Sequence, residues 1–137
     1  MSQIVLDDQL FPLDVLVPIA RWATVQRLRD VRPGEVIKDE RVPVILRDLR
    51  QPTFVTIDMG FWTRRMCDGR YCMVCFPLRN NEQHLIPGML RQLLRLPVFH
   101  SKAQRMGKII QAGAHQIRYW QHGDEEIHTL AWEPTNR

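Results

Sequence analysis

The chain has 137 residues, 45% of them hydrophobic and 25% charged, a size and balance that suit one compact domain and exclude wholesale disorder. No apolar run approaches the roughly 20 residues that span a bilayer, and the opening MSQIVLDDQL lacks the basic-then-apolar pattern of a secretory signal, so a cytoplasmic protein with no membrane partner is expected. The net charge of +4 is unevenly spread: residues 1–58 hold eight Lys/Arg against nine Asp/Glu, residues 59–120 ten against two, and residues 121–137 one against four. Acids followed by a basic stretch suit a site whose carboxylates hold a cation while nearby basic groups hold a polyanion.

Residues 3–6 (Gln-Ile-Val-Leu) read as a short buried strand that runs straight into Asp7-Asp8. Leu13, Leu16, Val17, Ile19, Ala20, Ala23 and Leu28 recur near the helical period, with Pro12 suited to the first turn and Pro18 set to kink or divide the helix. Arg32-Pro33-Gly34 marks a turn, and Val31 or Val36-Ile37 is the place for a short second strand. A helix is expected from around Lys38–Arg41 to near Arg50, with Val42, Ile45, Leu46 and Leu49 on one stripe. Thr53–Ile57 is β-branched and aromatic, a strand that again ends on an acid, Asp58.

Beyond the Asp68-Gly69 turn, Tyr71–Phe76 is a continuous apolar run, as in a strand covered on both faces. A Leu-rich helix follows over about Ile86–Leu94, and Gly107–Ile110 with His115–Trp120 read as a closing hairpin around Ala112-Gly113. This order predicts an α/β fold, a three-layer sandwich around a mostly parallel central sheet, with one domain over 1–122 and an acidic C-terminal tail over 123–137. Cys67, Cys72 and Cys75 lack a second metal-binding pair, and Cys72 and Cys75, three apart in a strand, point to opposite faces, so reduced thiols are expected. The five histidines are scattered without ligand spacing.

In an open parallel sheet, sites form outside the carboxyl ends of the strands. Asp7-Asp8 and Asp58 each follow a strand, and Asp39-Glu40 opens a helix that would start near the same edge. Three carboxylates in one cleft repel one another unless a cation neutralises them. Oxygen ligands without His or Cys select Mg2+ or Mn2+. The expected set is Asp7, Asp39 and Asp58, with Asp8 and Glu40 as second choices; helix capping or turn formation is the ordinary alternative for Asp8 and Asp39. Arg64 and Arg65, after the Asp58 loop, are candidate phosphate clamps, and Trp62 is a candidate stacking residue. Thr56 and Thr63 are near enough to orient a carboxylate or phosphate, although ordinary strand and turn roles are the simpler reading.

Three segments carry a family resemblance. LDDQL (Leu6–Leu10) resembles the strand-one acid motif of PIN-like nucleases, in particular a compact bacterial toxin-like branch related to VapC. KDERVPVILRDL (Lys38–Leu49) resembles that branch's "D-E-E-V-L-x-L-A" helix, and FVTIDMGFW (Phe54–Trp62) its "V-L-L-T-x-D-x-D-F" signature, with Thr56, Asp58 and Phe61 on the Thr, first Asp and Phe. The resemblance spans about residues 3–120. It implies a PIN-like fold and a metal-dependent ribonuclease using Mg2+ or Mn2+, often the toxin of a toxin–antitoxin pair inhibited by a small antitoxin protein, and related domains commonly form homodimers. The chain departs from the signature at Gly60, where the family has a second Asp.

Two other classes remain. A PIN-like scaffold could bind RNA or a partner protein without cutting. A receiver-type phosphoacceptor also places acids after its first and a later strand and a Lys late in the chain, here Asp7-Asp8, Asp58 and Lys108. Against it, Asp58 and Lys108 are followed by Met-Gly-Phe-Trp and Ile109, which do not match the receiver's turns.

Overall fold

A computed structural model of the chain describes residues 3–135. β1 (Gln3–Leu6) buries Ile4, Val5 and Leu6 completely, and their alternation feeds two separate cores. Ile4 and Leu6 join a larger cluster with Val55, Val74 and Ile110, under Val15, Ile19, Ile86 and Leu90. Val5 joins Phe54, Met73 and Ile109 on the opposite face, under Leu28, Val42, Ile45 and Leu46. Helices therefore cover both faces of one sheet, which is why its central strands tolerate unbroken apolar runs.

The sheet has seven strands in the order β2-β1-β3-β4-β5-β6-β7. β1, β2 (Thr24–Arg27), β3 (Thr53–Thr56), β4 (Cys72–Cys75) and β5 (Lys108–Ala112) pair in parallel. β6 (Gln116–Gln121) and β7 (His128–Ala131) add an antiparallel edge. The fold is α/β with a mostly parallel sheet. The chain steps from β1 out to β2 and returns to β3 on the other side of β1, so the direction of winding reverses between β1 and β3.

Two local expectations change. The helical periodicity over 13–28 is split: a wide turn (Pro12–Leu16) leads into α1 (Val17–Ala20), with Pro18 in its first turn. The chain then enters β2, where the periodicity had predicted continuing helix, and only after it forms α2 (Leu28–Val31). Backbone pairing with β1 outweighs a sparse apolar spacing, and β-branched Thr24 and Val25 favour the strand. The second strand is therefore at 24–27 and not at Val31 or Val36-Ile37. The other difference lies after Gly123, where a tail was expected. Residues 128–131 form β7, Trp132 is buried, and its indole Nε1 donates to the Gly113 carbonyl at 2.8 Å.

The remaining elements fall close to expectation. A 3-10 turn (Asp39–Arg41) leads into α3 (Val42–Asp48), and a 3-10 turn (Asn80–Leu85) into α4 (Ile86–Leu93). Cys72 and Cys75 are buried in opposite cores, and burial pushes both thiols up, Cys72 to about 12, so they serve as packing groups. Among the described residues no helix is long and apolar enough to cross a membrane.

The amino end of the sheet is pinned by a buried cation. Arg105, at the end of α5 (Lys102–Arg105), is 1% exposed. It donates from Nε to Thr53 Oγ1 at 3.0 Å and from Nη1 to the carbonyls of Phe99 and His100 at 2.9 and 3.0 Å. Burial lowers its pKa. Arg105→Ala strips three acceptors, two of them buried, of their donor, and we expect it to lower unfolding stability by about 3 kcal/mol. Equilibrium denaturation by urea checks this, and a loss within 0.5 kcal/mol of zero (the ordinary surface range) would refute the pinning role.

Candidate functional site

The carboxyl ends of β1 and β3 sit at the reversal of winding, and each strand runs directly into an acid. Register pairs Leu6 with Val55, so Asp7 lies level with Thr56. Asp7 N donates to the Val55 carbonyl at 2.9 Å, which carries the β1–β3 ladder one residue past the strand. The Asp7 side chain falls on the same face as Val5 and Phe54, and there Thr56 Oγ1 donates to Asp7 Oδ2 at 2.6 Å. The same hydroxyl oxygen accepts from Asp58 N at 2.9 Å, and Asp58 Oδ1 accepts from Gly60 N at 2.9 Å. Thr56, fully buried, thus orients one carboxylate and fixes the start of the loop that carries the other.

This arrangement leaves Asp7 electrostatically uncomfortable. It is 9% exposed, and burial raises its pKa, with the like charges of Asp58 and Asp8 pushing the same way. The hydrogen bonds from Thr56 and the Gln9 backbone offset part of this. Among the described residues no Lys or Arg pairs with Asp7 or Asp58. Two carboxylates without a cationic partner are a donor set that fits a hard divalent cation.

The other acids behave differently. Asp8 Oδ1 accepts from Arg29 N at 2.9 Å and lies 3.5 Å from Arg29 Nε. Arg29 N is an otherwise unbonded donor in the first turn of α2, so Asp8 caps α2 across the chain and has its own counter-charge. Asp39 and Glu40 are exposed at the start of their 3-10 turn. They line a cleft of about 260 Å³ with Gly60, Phe61, Arg65 and Met66. The fold thus brings Asp39 and Glu40 to the loop after Asp58. It does not draw them into one closed set, because among the described residues no three Asp, Glu, His or Cys side chains surround a common point.

The basic and aromatic candidates also separate. Arg65 lines the cleft with Asp39 and Gly60, whereas Arg64 points toward Glu125 at 3.9 Å. Trp62 is half-buried, 6.1 Å from the Trp120 ring, with the Arg118 guanidinium 5.0 Å over its own ring. Gly60 leaves space beside Asp58, and a Cβ there would lie 3.0 Å from Asp58 Oδ1. Lys108 opens β5, so it lies at the amino end of the parallel strands, opposite the acids.

Sequence reasoning passed over one residue here, Gln83. It is fully buried, accepts from Phe11 N at 2.7 Å and donates to the Gln9 carbonyl at 3.3 Å. It ties the loop after Asp7-Asp8 to the turn before α4. Nothing local in the sequence marks it, since its partners lie more than 70 residues away. Thr56 was visible as part of a signature, but its double contact depends on the β1–β3 register.

Comparison with family models, curated proteins and solved structures gives no significant match for this chain.

A pH test follows from Asp7. Its folded pKa is raised, so the stability linked to it is present below its unfolded pKa and is lost as pH rises through the folded value. Asp7→Asn keeps an acceptor for Thr56 and removes the charge. Without divalent cations, we expect this variant to melt higher than the parent at neutral pH, by roughly 3 °C, and to lose less stability between pH 4 and pH 7, as read by thermal melts across pH. A variant that melts lower at neutral pH contradicts the electrostatic reading of Asp7.

Proposed function

We propose that this chain is a PIN-like, Mg2+- or Mn2+-dependent ribonuclease. The observation that carries the reading is the buried carboxylate of Asp7 beside Asp58, without a cationic partner among the described residues, at the point where the winding of a parallel sheet reverses. A protein tolerates such repulsion where a bound cation relieves it in the working state. The order of acid-bearing motifs and the basic stretch after Asp58 supply the substrate class, a phosphodiester polyanion.

In this reading Asp7 and Asp58 would hold the metal, and Thr56 keeps Asp7 Oδ2 and the Asp58 backbone in register for it. Asp39 and Glu40 line the cleft beside Gly60, and Asp39 would be the nearest further acid available to such a metal. Arg65 meets the RNA backbone phosphate there. A bound Mg2+ or Mn2+ would supply Lewis-acid polarisation of the phosphodiester and a more acidic water. Asp8 serves the fold through α2, and Arg64, shared with Glu125, is the weaker phosphate contact. On the family resemblance, the protein partner would be a small antitoxin, with a homodimer as the assembly.

The absence of an acid at position 60, and the openness of the Asp39 side of the site, favour one second reading: a PIN-like module that binds RNA or a protein and does not cut. The receiver-type reading loses its lysine, because Lys108 stands at the far end of the sheet from Asp7 and Asp58.

Cleavage of an end-labelled single-stranded RNA in Mn2+, Mg2+ or EDTA separates the first two. We expect cleavage only with a divalent cation and a loss of at least about 100-fold in Asp58→Asn, the scale of losing one transition-state contact. Mg2+ at about 100 times its Kd would also stabilise the fold by about 2.7 kcal/mol. RNA binding without cleavage in any metal would favour the non-cutting module. Arg65→Gln is expected to weaken RNA binding and lower the salt-dependence slope by about 0.7, as measured by fluorescence anisotropy over a salt series, with cleavage at saturating RNA little changed.

A further inference from the structure

The same sheet edge carries a second and larger cavity, of about 430 Å³, past the carboxyl ends of β4 and β5. That volume lies within the range of small-molecule sites. Leu85 and Met89 contribute apolar walls from the turn before α4 and from α4 itself. Ala114 and His115 of the β5–β6 turn, with Glu82 and Glu133, also line it. The Arg79 amide takes one oxygen of Glu82 at 2.9 Å, and the other has no partner among the described residues. Glu133 is exposed at the rim, 3.5 Å from His115 Nδ1.

The cavity is built into the frame of the carboxylate site. β4 lies beside β3 with Thr56 opposite Cys75, and Pro77, two residues past that pair, lines the cavity. Adjacent strands are about 4.8 Å apart. Gln83 ties the wall that holds Glu82 and Leu85 to the loop after Asp7. Met89 and Ala112 belong to the core on the α4 side, whereas Asp7 and Thr56 face the α3 side, so an occupant reaching the cavity from the acids passes over the carboxyl edge of the sheet.

We propose that this cavity is a nucleobase subsite, selective for bases that present an amino group on their hydrogen-bonding edge. The inference rests on the ribonuclease reading for its substrate class. The chemistry of the walls selects the occupant. Leu85 and Met89 offer apolar surface to the flat of a ring. Glu82 and Glu133 accept hydrogen bonds and donate none, and they repel a phosphate. Adenine, guanine and cytosine each carry an amino donor. Uracil offers the same carboxylates a single N3–H donor flanked by two carbonyl oxygens that they repel, and is disfavoured.

The test is an amide NMR titration of the full chain with GMP, AMP, CMP and UMP in turn. We expect saturable shifts at Leu85, Met89 and 112–115, with UMP at least about fivefold weaker than CMP, the scale of one hydrogen bond. Glu82→Gln, whose amide both donates and accepts, should narrow the gap between CMP and UMP. Ala114→Trp, at an exposed position, should fill the mouth and abolish the shifts while Mg2+ still perturbs Asp7 and Asp58. Equal binding of UMP, or shifts confined to other surfaces, overturns the subsite. If Mg2+ binds and RNA is cut while all four nucleotides leave the cavity amides unmoved, the subsite is wrong and the nuclease reading stands. If the cavity amides respond as expected in a protein that cuts no RNA, the base site stands and the nuclease reading falls.

Discussion

One hydroxyl holds the working end of this sheet together. Thr56 Oγ1 donates to a buried Asp7 carboxylate and accepts from the backbone at Asp58, so two acids from strands nearly 50 residues apart are fixed by the same side chain. That geometry exists only because β1 and β3 pair in parallel with Leu6 opposite Val55. A shift of one residue would turn Asp7 to the other face of the sheet, away from Thr56. The two cores enforce this register, since Val5 and Phe54 must face one set of helices while Leu6 and Val55 face the other. Core packing and site geometry are thus one constraint.

Its cost falls on Asp7, a carboxylate whose ionised form is disfavoured by burial and by two acidic neighbours. Stability on this account is lower at neutral pH than an uncharged side chain would allow. Natural sites keep such strain where function needs it. The contrast with Asp8 is informative. One residue further along, the same chemistry is satisfied by the first turn of α2 and by Arg29, and the acid becomes part of the frame. Adjacent identical residues have opposite roles because Asp7 still continues the β1–β3 ladder, whereas Asp8 already lies in the turn beyond it, within reach of α2.

Much of the fold could be read from local signals. The buried strands at 3–6, 53–56 and 72–75 are runs of apolar and β-branched residues, and Pro43, Pro87 and the Leu-rich stretch mark their helices. β2 was obscured because Ala23 and Leu28 happen to fit a helical spacing, while pairing with β1 decides the conformation. β7 was obscured because its residues alternate between exposed and half-buried, and its stability comes from pairing with β6 and from Trp132 anchored on Gly113. For the site, the strand-end acids were legible as positions. What they touch was not. The Thr56–Asp7 bond, the Asp8–Arg29 cap and the Gln83 tie all join residues 21 or more apart in sequence, and no local pattern encodes such pairs. The nearness of Asp39 and Arg65 to Gly60 likewise depends on how α3 is laid against the sheet.

The account comes down to whether Asp7 and Asp58 share a cation. Diffraction from crystals of the chain soaked in Mn2+, collected at a wavelength where manganese scatters anomalously, reads this directly. The account predicts one strong anomalous peak within about 2.3 Å of carboxylate oxygens of both Asp7 and Asp58, close to the short metal–oxygen contacts of hard divalent ions. A map with no peak there, or with manganese bound only at Asp39-Glu40, would contradict it.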